Sequence, residues 1–125
     1  MGIWIMNCII ALLMPVILLI VGAIFHKSPP KKTNGVYGYR TTRSRKNQDT
    51  WDFSQKYAGE LFWKIGWISV LVSVVECIVL WFLSEPVQGI LISIVLVLEM
   101  VAIFVIIAMV EKKLKETFDD NGIRR

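Results

Sequence analysis

The fold of this chain is decided by residues 61–110, which read LFWKIGWISVLVSVVECIVLWFLSEPVQGILISIVLVLEMVAIFVIIAMV. Two apolar blocks, 61–83 and 87–110, are separated here by a turn of only a few residues. About 20 apolar residues in a helix cross a hydrocarbon core about 30 Å thick, and lipid offers no partner to unpaired backbone groups. The stretch therefore predicts two transmembrane helices that form an antiparallel hairpin.

A third apolar block lies upstream, at residues 3–25. The chain has 125 residues, of which 55% are hydrophobic, and its mean hydropathy is +0.59. None of the three blocks has the polar face that a helix of a soluble bundle needs. Pro15 removes one backbone hydrogen bond from the first block, which a neighbouring helix can replace. We expect a single all-α membrane domain over residues 1–125, with transmembrane helices at about 3–25, 61–83 and 87–110, a loop at 26–60 and a tail at 111–125.

The positive charge of the chain is distributed very unevenly. All 14 lysines and arginines lie in the loop, in the tail or at Lys64, just inside the second span. The positive-inside rule places the loop and the tail in the cytoplasm and the amino terminus outside. This bias also explains the basic loop without a nucleic-acid partner. Attraction to anionic lipids is expected of the basic residues on that side.

Residues 47–60 predict one more helix, within the loop. One broad face of this segment is apolar and includes Trp51, Phe53, Tyr57, Ala58, Leu61 and Phe62. Charged residues lie opposite, and Ser44 or Asn47 can cap the start. We expect an amphipathic interfacial helix that lies on the inner membrane surface or against the bundle and joins the second span near Gly59. After the third span, the helix is expected to continue to about Phe118.

Polar side chains within the spans are one group of candidate functional residues: Asn7, Ser69, Ser73, Glu76 and Glu99. An ionised side chain at the bilayer centre costs about 2.5–3.5 kcal/mol, so these residues should face the bundle interior. Ser69, Ser73 and Glu76 follow helical spacing and form one stripe. Asn7, Glu76 and Glu99 can share a network in which at least one glutamate is neutral. A proton or cation site and hydrogen bonds that only fix helix packing both remain open.

The loop carries the second group of candidates, around the run Tyr37-Gly38-Tyr39-Arg40-Thr41. Glycine permits a tight turn, tyrosine offers a ring with a polar tip, and the guanidinium of Arg40 suits phosphate or carboxylate. The alternative is an electrostatic anchor to anionic lipid, worth about 1 kcal/mol per basic residue. His26, the one histidine, has no partner at metal-ligand spacing, and no nucleophile motif is visible. We therefore expect no enzyme activity, no metal and no cofactor.

The segment PPKKTNGVYGYRT at residues 29–41, with Ser44, Asn47 and Trp51 downstream, closely resembles the signature of the SdpI/YfhL family of bacterial membrane proteins. The resemblance implies a location in the bacterial inner membrane. It also implies a role like that of the founding member, an immunity protein against a secreted peptide toxin that can also hold a transcriptional repressor at the membrane. The founding member is larger and has further spans upstream. By the same resemblance, the binding residues are Asn34, Tyr37, Gly38, Tyr39, Arg40, Thr41, Ser44 and Trp51.

Three functions follow from these observations. The first is a non-catalytic immunity or signalling module that recognises a peptide toxin, a lipid or a cytoplasmic regulator through the loop. The second is a small ion- or proton-coupled transporter that uses Glu76 and Glu99. The third, a lipid-modifying enzyme, has no visible nucleophile and base. A homodimer is compatible with the small surface that three helices bury in lipid, although no seam of small residues identifies it.

Overall fold

A computed structural model describes residues 1–31 and 38–125 of the chain. Over these residues the fold consists of three long helices: α1 at Gly2–Lys27, α2 at Gln48–Trp81 and α3 at Glu85–Thr117. Each is long and apolar enough to cross a membrane. The three predicted spans are thus present, and the described residues contain no strand, only an isolated bridge between Phe118 and Arg124.

The predicted interfacial helix is not a separate element. Residues 48–60 are helical, but they form the first part of α2, which continues without a break through the second span. Its start is capped by Asn47, whose side chain accepts a hydrogen bond from the Thr50 amide at 2.9 Å. In return, the Thr50 hydroxyl accepts a hydrogen bond from the Asn47 amide at 3.0 Å. A glycine within a helix lowers its stability only modestly, so Gly59 does not require a break there.

Gly59 instead allows α1 and α2 to approach closely. A Cβ atom built on Gly59 would lie 2.7 Å from the Phe25 Cβ, and one built on Gly66 would lie 2.8 Å from Leu19 Cδ2. On the other helix, a Cβ on Gly22 would lie 2.6 Å from the Trp63 backbone nitrogen. Small residues let membrane helices pack backbone to backbone, so this seam explains why α1 packs mainly against α2.

The main apolar cluster lies at one end of the bundle, where α2 begins and α3 ends. Its members are Phe25, Tyr39, Ala58, Ile106, Val110, Leu114 and Phe118. Along the spans, in contrast, most large apolar side chains are exposed on the outside of the bundle, as expected for surfaces that contact lipid.

Two tryptophan pairs lie at different heights on the bundle. Trp4 and Trp81 pack edge to face with ring centroids 4.9 Å apart, near the turn between α2 and α3. Trp63 and Trp67, with centroids 5.7 Å apart, lie toward the other end, and both are exposed. Tryptophan favours the membrane–water interface, so the pairs are consistent with two aromatic belts.

Candidate functional site

The loop before α2 is held by the side chain of one glutamine. Gln55 Oε1 accepts a hydrogen bond from the Tyr39 amide at 2.6 Å, and its Nε2 donates to the Tyr39 carbonyl at 2.7 Å. The Gln55 side chain is completely buried. The preceding residue, Gly38, has φ +113°, a conformation that side chains disfavour, and a Cβ there would lie 2.9 Å from Gln55 Oε1. The loop backbone is therefore fixed on α2.

The Tyr39 side chain extends this attachment to α3. Its ring is buried in the apolar cluster, and its hydroxyl donates a 2.7 Å hydrogen bond to Glu111 Oε1. The same hydroxyl lies 3.3 Å from the Ile107 carbonyl oxygen. Burial is the main cause, and the hydrogen bond to Glu111 the second, of a pKa of Tyr39 far above its ordinary value. The phenol therefore keeps the proton that it donates to Glu111.

Ser44 closes a turn directly after Tyr39. Its hydroxyl accepts a hydrogen bond from the Thr41 amide at 2.8 Å and lies 3.1 Å from the Tyr39 carbonyl oxygen, to which it can donate. The Ser44 carbonyl in turn accepts a hydrogen bond from the Thr50 hydroxyl at 3.1 Å. Ser44 and Thr50 are both buried, so this turn joins the loop to the cap of α2.

Trp51 holds the other side of the loop. Its side chain is completely buried, and Nε1 donates a 2.7 Å hydrogen bond to the Pro30 carbonyl. A Cβ atom on Gly38 would lie 3.4 Å from the Trp51 ring and 2.8 Å from the Pro30 ring. Trp51 thus links the segment after α1, the turn at Gly38 and α2.

These contacts divide the eight residues that were predicted to bind a ligand. Gly38, Tyr39, Ser44 and Trp51 build the loop. Arg40 is exposed directly after the fixed Tyr39, and Thr41 is half-buried beside it. The predictions for Asn34 and Tyr37 concern residues 32–37, which lie outside the described part of the chain.

The carboxy-terminal residues form a clasp over the start of α2, defined here as residues 118–125. Arg124 pairs with Asp49 through two hydrogen bonds of 2.8 Å, and its guanidinium lies 5.0 Å from the centre of the Phe118 ring. The Asn47 side chain donates a 2.6 Å hydrogen bond to the Gly122 carbonyl. The Arg124 guanidinium holds the pKa of Asp49 below its ordinary value. The charged tail is therefore ordered against the helix that carries the loop.

An open groove of about 590 Å³ lies between the loop and the clasp. Its lining residues are Thr41, Thr42, Arg43, Lys46, Glu111 and Asp120. Arg43 and Asp120 form an ion pair of 3.7 Å across it. These described lining residues offer two cations, two carboxylates and two hydroxyls. Within residues 1–31 and 38–125, no three His, Cys, Asp or Glu side chains are grouped as a metal site requires.

Inside the spans, Ser73, one of the predicted polar residues, supplies a hydrogen bond that Pro15 removes from α1. Pro15 has no N–H to donate to the Ala11 carbonyl, four residues earlier in α1. The Ser73 hydroxyl donates to that carbonyl at 2.8 Å. Ser73 is completely buried, and this bond supplies the partner that the proline removes.

Asn7 does not join the glutamates in the predicted network. Its Nδ2 donates a 2.9 Å hydrogen bond to Gln88 Oε1 on α3, and Gln88 Nε2 donates to the Leu83 carbonyl at 3.1 Å. This pair links α1 to the start of α3 near the turn. The amide of Asn7 is therefore already used in helix packing.

Glu76 and Glu99 are the unusual groups of the bundle. Glu76 is 5% exposed and Glu99 6%, on helices α2 and α3. Within the described residues, none of their four carboxyl oxygens has a hydrogen-bond partner. Ser69, one helical turn before Ser73, is also buried. Buried carboxyl groups without partners cost free energy, so the bundle retains here two groups that do not stabilise it.

Comparison with known proteins relates this geometry to a family. The model of the SdpI/YfhL protein family matches residues 31–110, which is more than half of the chain. The chain belongs to the SdpI/YfhL family. A relative in Bacillus subtilis (strain 168), the uncharacterized protein YfhL, is 40% identical over 45 residues, which are 36% of this chain and 41% of the relative. The aligned segment thus spans about two fifths of that relative's length. No solved structure matches the chain.

The family region contains the described residues of the loop from Lys31 onward, all of α2, and α3 as far as Val110. All of α1 and the clasp lie outside it. Of the loop contacts, those of Tyr39 with Gln55 and those of Trp51 with Pro30 involve the matched region or its immediate edge. The contacts of Arg124 and Gly122 with α2 are additions from outside the match.

Sequence reasoning missed the partners of the loop residues. Gln55 and Glu111 were not among the candidates, although they hold Tyr39. One signal was available: Gln55 lies four residues after Trp51 and three before Ala58, on the apolar face of the helix. A glutamine in such a position is expected to be buried with both amide atoms paired.

Proposed function

We propose that this chain is a non-catalytic immunity or signalling module of the bacterial inner membrane, similar to the founding member of the SdpI/YfhL family. It confers tolerance to a secreted antimicrobial peptide toxin, or recognises a related ligand, through the loop. A cytoplasmic regulator is the partner in the signalling form of this proposal. Membership of the family is the ground for the proposal, and the loop supplies its site.

The proposed orientation has the amino terminus outside and the carboxy terminus in the cytoplasm. The loop and the clasp meet at one end of the bundle through the contacts of Asn47 and Asp49 with the last residues of the chain. All lysines and arginines except Lys64 lie in one of two segments. The first is residues 27–56, before the apolar part of α2, and the second is residues 112–125, after the apolar part of α3. The positive-inside rule supports placing this end in the cytoplasm.

The observation that carries the proposed site is the fixation of Tyr39. Both of its backbone polar groups are bound by Gln55, and its hydroxyl is bound by Glu111. Arg40, the next residue, is exposed, and Thr41, which follows it, lines the 590 Å³ groove. An anchor that acts by charge alone does not need such a rigid support. An exposed arginine that follows a fixed stretch of backbone suits recognition of a carboxylate or phosphate group.

Survival under toxin challenge tests this proposal. The chain, Arg40→Ala and the matched control Arg45→Ala are produced in a sensitive bacterium and exposed to the peptide toxin of the family. Arg45 is also exposed and lies in the same loop. We expect protection by the chain and by Arg45→Ala, and loss of protection by Arg40→Ala at equal membrane levels. Equal protection by both variants would remove Arg40 from the site, and no protection by any of them would refute the immunity role.

The unpartnered carboxyl groups favour a second candidate, a small ion- or proton-coupled transporter. Glu76 and Glu99 lie within the spans, and intramembrane acidic residues commonly mark ion or proton pathways. The test is flux into proteoliposomes across a pH or sodium gradient. Transport predicts flux that Glu76→Gln abolishes and that Glu85→Gln, at the exposed turn, leaves unchanged. Flux equal to that of empty vesicles would exclude this candidate.

A further inference from the structure

A second cavity opens at the same end of the bundle, near the end of α1 and the start of α2. Its volume is about 390 Å³, and it lies between the end of α1, the segment 29–31 and one turn of α2. The lining residues are Phe25, His26, Pro29, Pro30, Lys31, Asp52, Gln55 and Lys56. None of them belongs to the groove that Thr41 and Arg43 line.

The height of this cavity places it at the level of lipid headgroups. Gly59 packs against Phe25, which lines the cavity, and the exposed Trp63 lies one helical turn further along α2. Exposed tryptophans concentrate at the membrane–water interface. The cavity therefore begins directly on the aqueous side of the aromatic belt formed by Trp63 and Trp67.

The chemistry of the cavity is apolar below and cationic at the rim. Phe25, Pro29 and Pro30 provide the apolar wall, whereas Lys31 and Lys56 are exposed. Among the described lining residues the carboxylate is that of Asp52, which accepts a 2.7 Å hydrogen bond from Gln48 Nε2. The groove that Thr41 and Arg43 line, by comparison, balances two cations with two carboxylates. The excess of positive charge at this cavity favours an anionic occupant.

We propose that this cavity binds the headgroup of an anionic phospholipid. The lipid phosphate lies between the ammonium groups of Lys31 and Lys56, and the glycerol and upper acyl chain lie against Phe25 and the prolines. A free phosphate ion uses only the charge of such a site, whereas a phospholipid also uses its apolar wall and its position next to the bilayer. The site holds the Pro29–Lys31 segment, and through it the Trp51–Pro30 contact, at the membrane surface.

The experiment is a lipid titration of the purified full chain in neutral detergent, read by native mass spectrometry. The probes are phosphatidylglycerol and phosphatidylcholine with the same acyl chains. A lysine close to an anionic surface contributes about 1 kcal/mol, which is about fivefold in affinity. Lys31→Gln/Lys56→Gln is therefore expected to weaken phosphatidylglycerol binding up to about 25-fold, toward the affinity for phosphatidylcholine.

The matched control is Lys112→Gln/Lys113→Gln, which removes the same charge from exposed positions of α3 on the same side. We expect this control to retain the affinity of the parent. Equal weakening by the two double variants would show that only net charge matters and would overturn the site. Equal affinity of the parent for the two lipids would overturn it as well.

A third arm separates the lipid from a soluble anion. Glycerol 1-phosphate, added to the phosphatidylglycerol complex, is expected to displace the lipid poorly. Displacement at concentrations equal to those of the lipid would show that the cavity binds free phosphate esters and would reject the lipid proposal. Circular dichroism of both double variants checks that their helices are intact, as expected for exposed lysines.

Discussion

The buried polar side chains at the loop differ from the two buried glutamates in the spans. At the loop, the buried polar side chains of Ser44, Thr50 and Gln55 have hydrogen-bond partners. In the spans, Glu76 and Glu99 are also buried, yet their carboxyl groups have no partner among the described residues. Because an unpaired buried polar group costs free energy, the first region is built for stability, and the second retains groups that stability alone does not favour.

At the loop, the identity of the buried polar residues serves the fold, whereas in the spans the two glutamates add no hydrogen bond to it among the described residues. The loop motif resembles a set of binding residues in the sequence, but four of its members hold the loop itself in place. The intramembrane glutamates contribute no hydrogen bond within the described chain.

The largest effect is expected from Trp51→Ala. The change removes a completely buried indole and its hydrogen bond to Pro30, and truncations of this kind cost about 3–5 kcal/mol. Trp67→Ala, at a position that is 53% exposed, is the control and should change the stability little. Unfolding in mixed micelles, followed by circular dichroism, measures both. Similar stability of the two variants would show that the loop is not anchored through Trp51.

A substitution by leucine in each region should change the free energy of unfolding in opposite directions. Gln55→Leu leaves the Tyr39 amide and carbonyl unpaired and should lower the free energy of unfolding by about 1–3 kcal/mol. Glu99→Leu removes an unpaired buried carboxyl group and should raise it by about 1–3 kcal/mol. The same micelle assay compares them. A loss of stability in both variants would mean that Glu99 has a structural partner, and the contrast between the two regions would disappear.

A smaller effect is expected from Ser73→Ala, and its dependence on Pro15 is diagnostic. The variant leaves the Ala11 carbonyl without a donor, which should cost about 1 kcal/mol. In a Pro15→Ala background the N–H of residue 15 serves that carbonyl, so Ser73→Ala should then cost much less. A double-mutant cycle measures this coupling. Additive effects of the two substitutions would show that Ser73 does not compensate for Pro15 in α1.

The smallest effect is expected at the clasp, because Arg124 and Asp49 are exposed to solvent. Arg124→Gln and Asp49→Asn should each lower the stability slightly, and the double variant no further. Since Arg124 holds the pKa of Asp49 below its ordinary value, the contribution is fully present above that ordinary pKa and is lost as the pH falls through the lowered one. Unfolding midpoints against pH, at low and high salt, measure it. An unchanged pH profile in Asp49→Asn would contradict the pairing.

Local patterns in the sequence predicted most of the architecture. The lengths of the apolar blocks predicted the three membrane-spanning helices, and Asn47 was one of the two caps considered for α2. The third helix was expected to end near Phe118 and ends at Thr117. The prediction of a separate interfacial helix was wrong, because an amphipathic segment followed by an apolar one can form a single continuous helix. A break requires a residue that interrupts the helical backbone, and Gly59 does not interrupt it.

The number of long apolar helices, the distribution of charge and the approximate end of α3 follow from the sequence alone. These properties depend on hydrophobicity, charge and capping within a few residues, so they can be inferred without knowing which helices touch. Three sets of contacts depend instead on helix packing: Gln55 and Glu111 bind Tyr39, Ser73 donates to the Ala11 carbonyl, and Arg124 pairs with Asp49. Those pairs lie between 16 and 75 residues apart in the chain, and they form only when helix packing brings their side chains together.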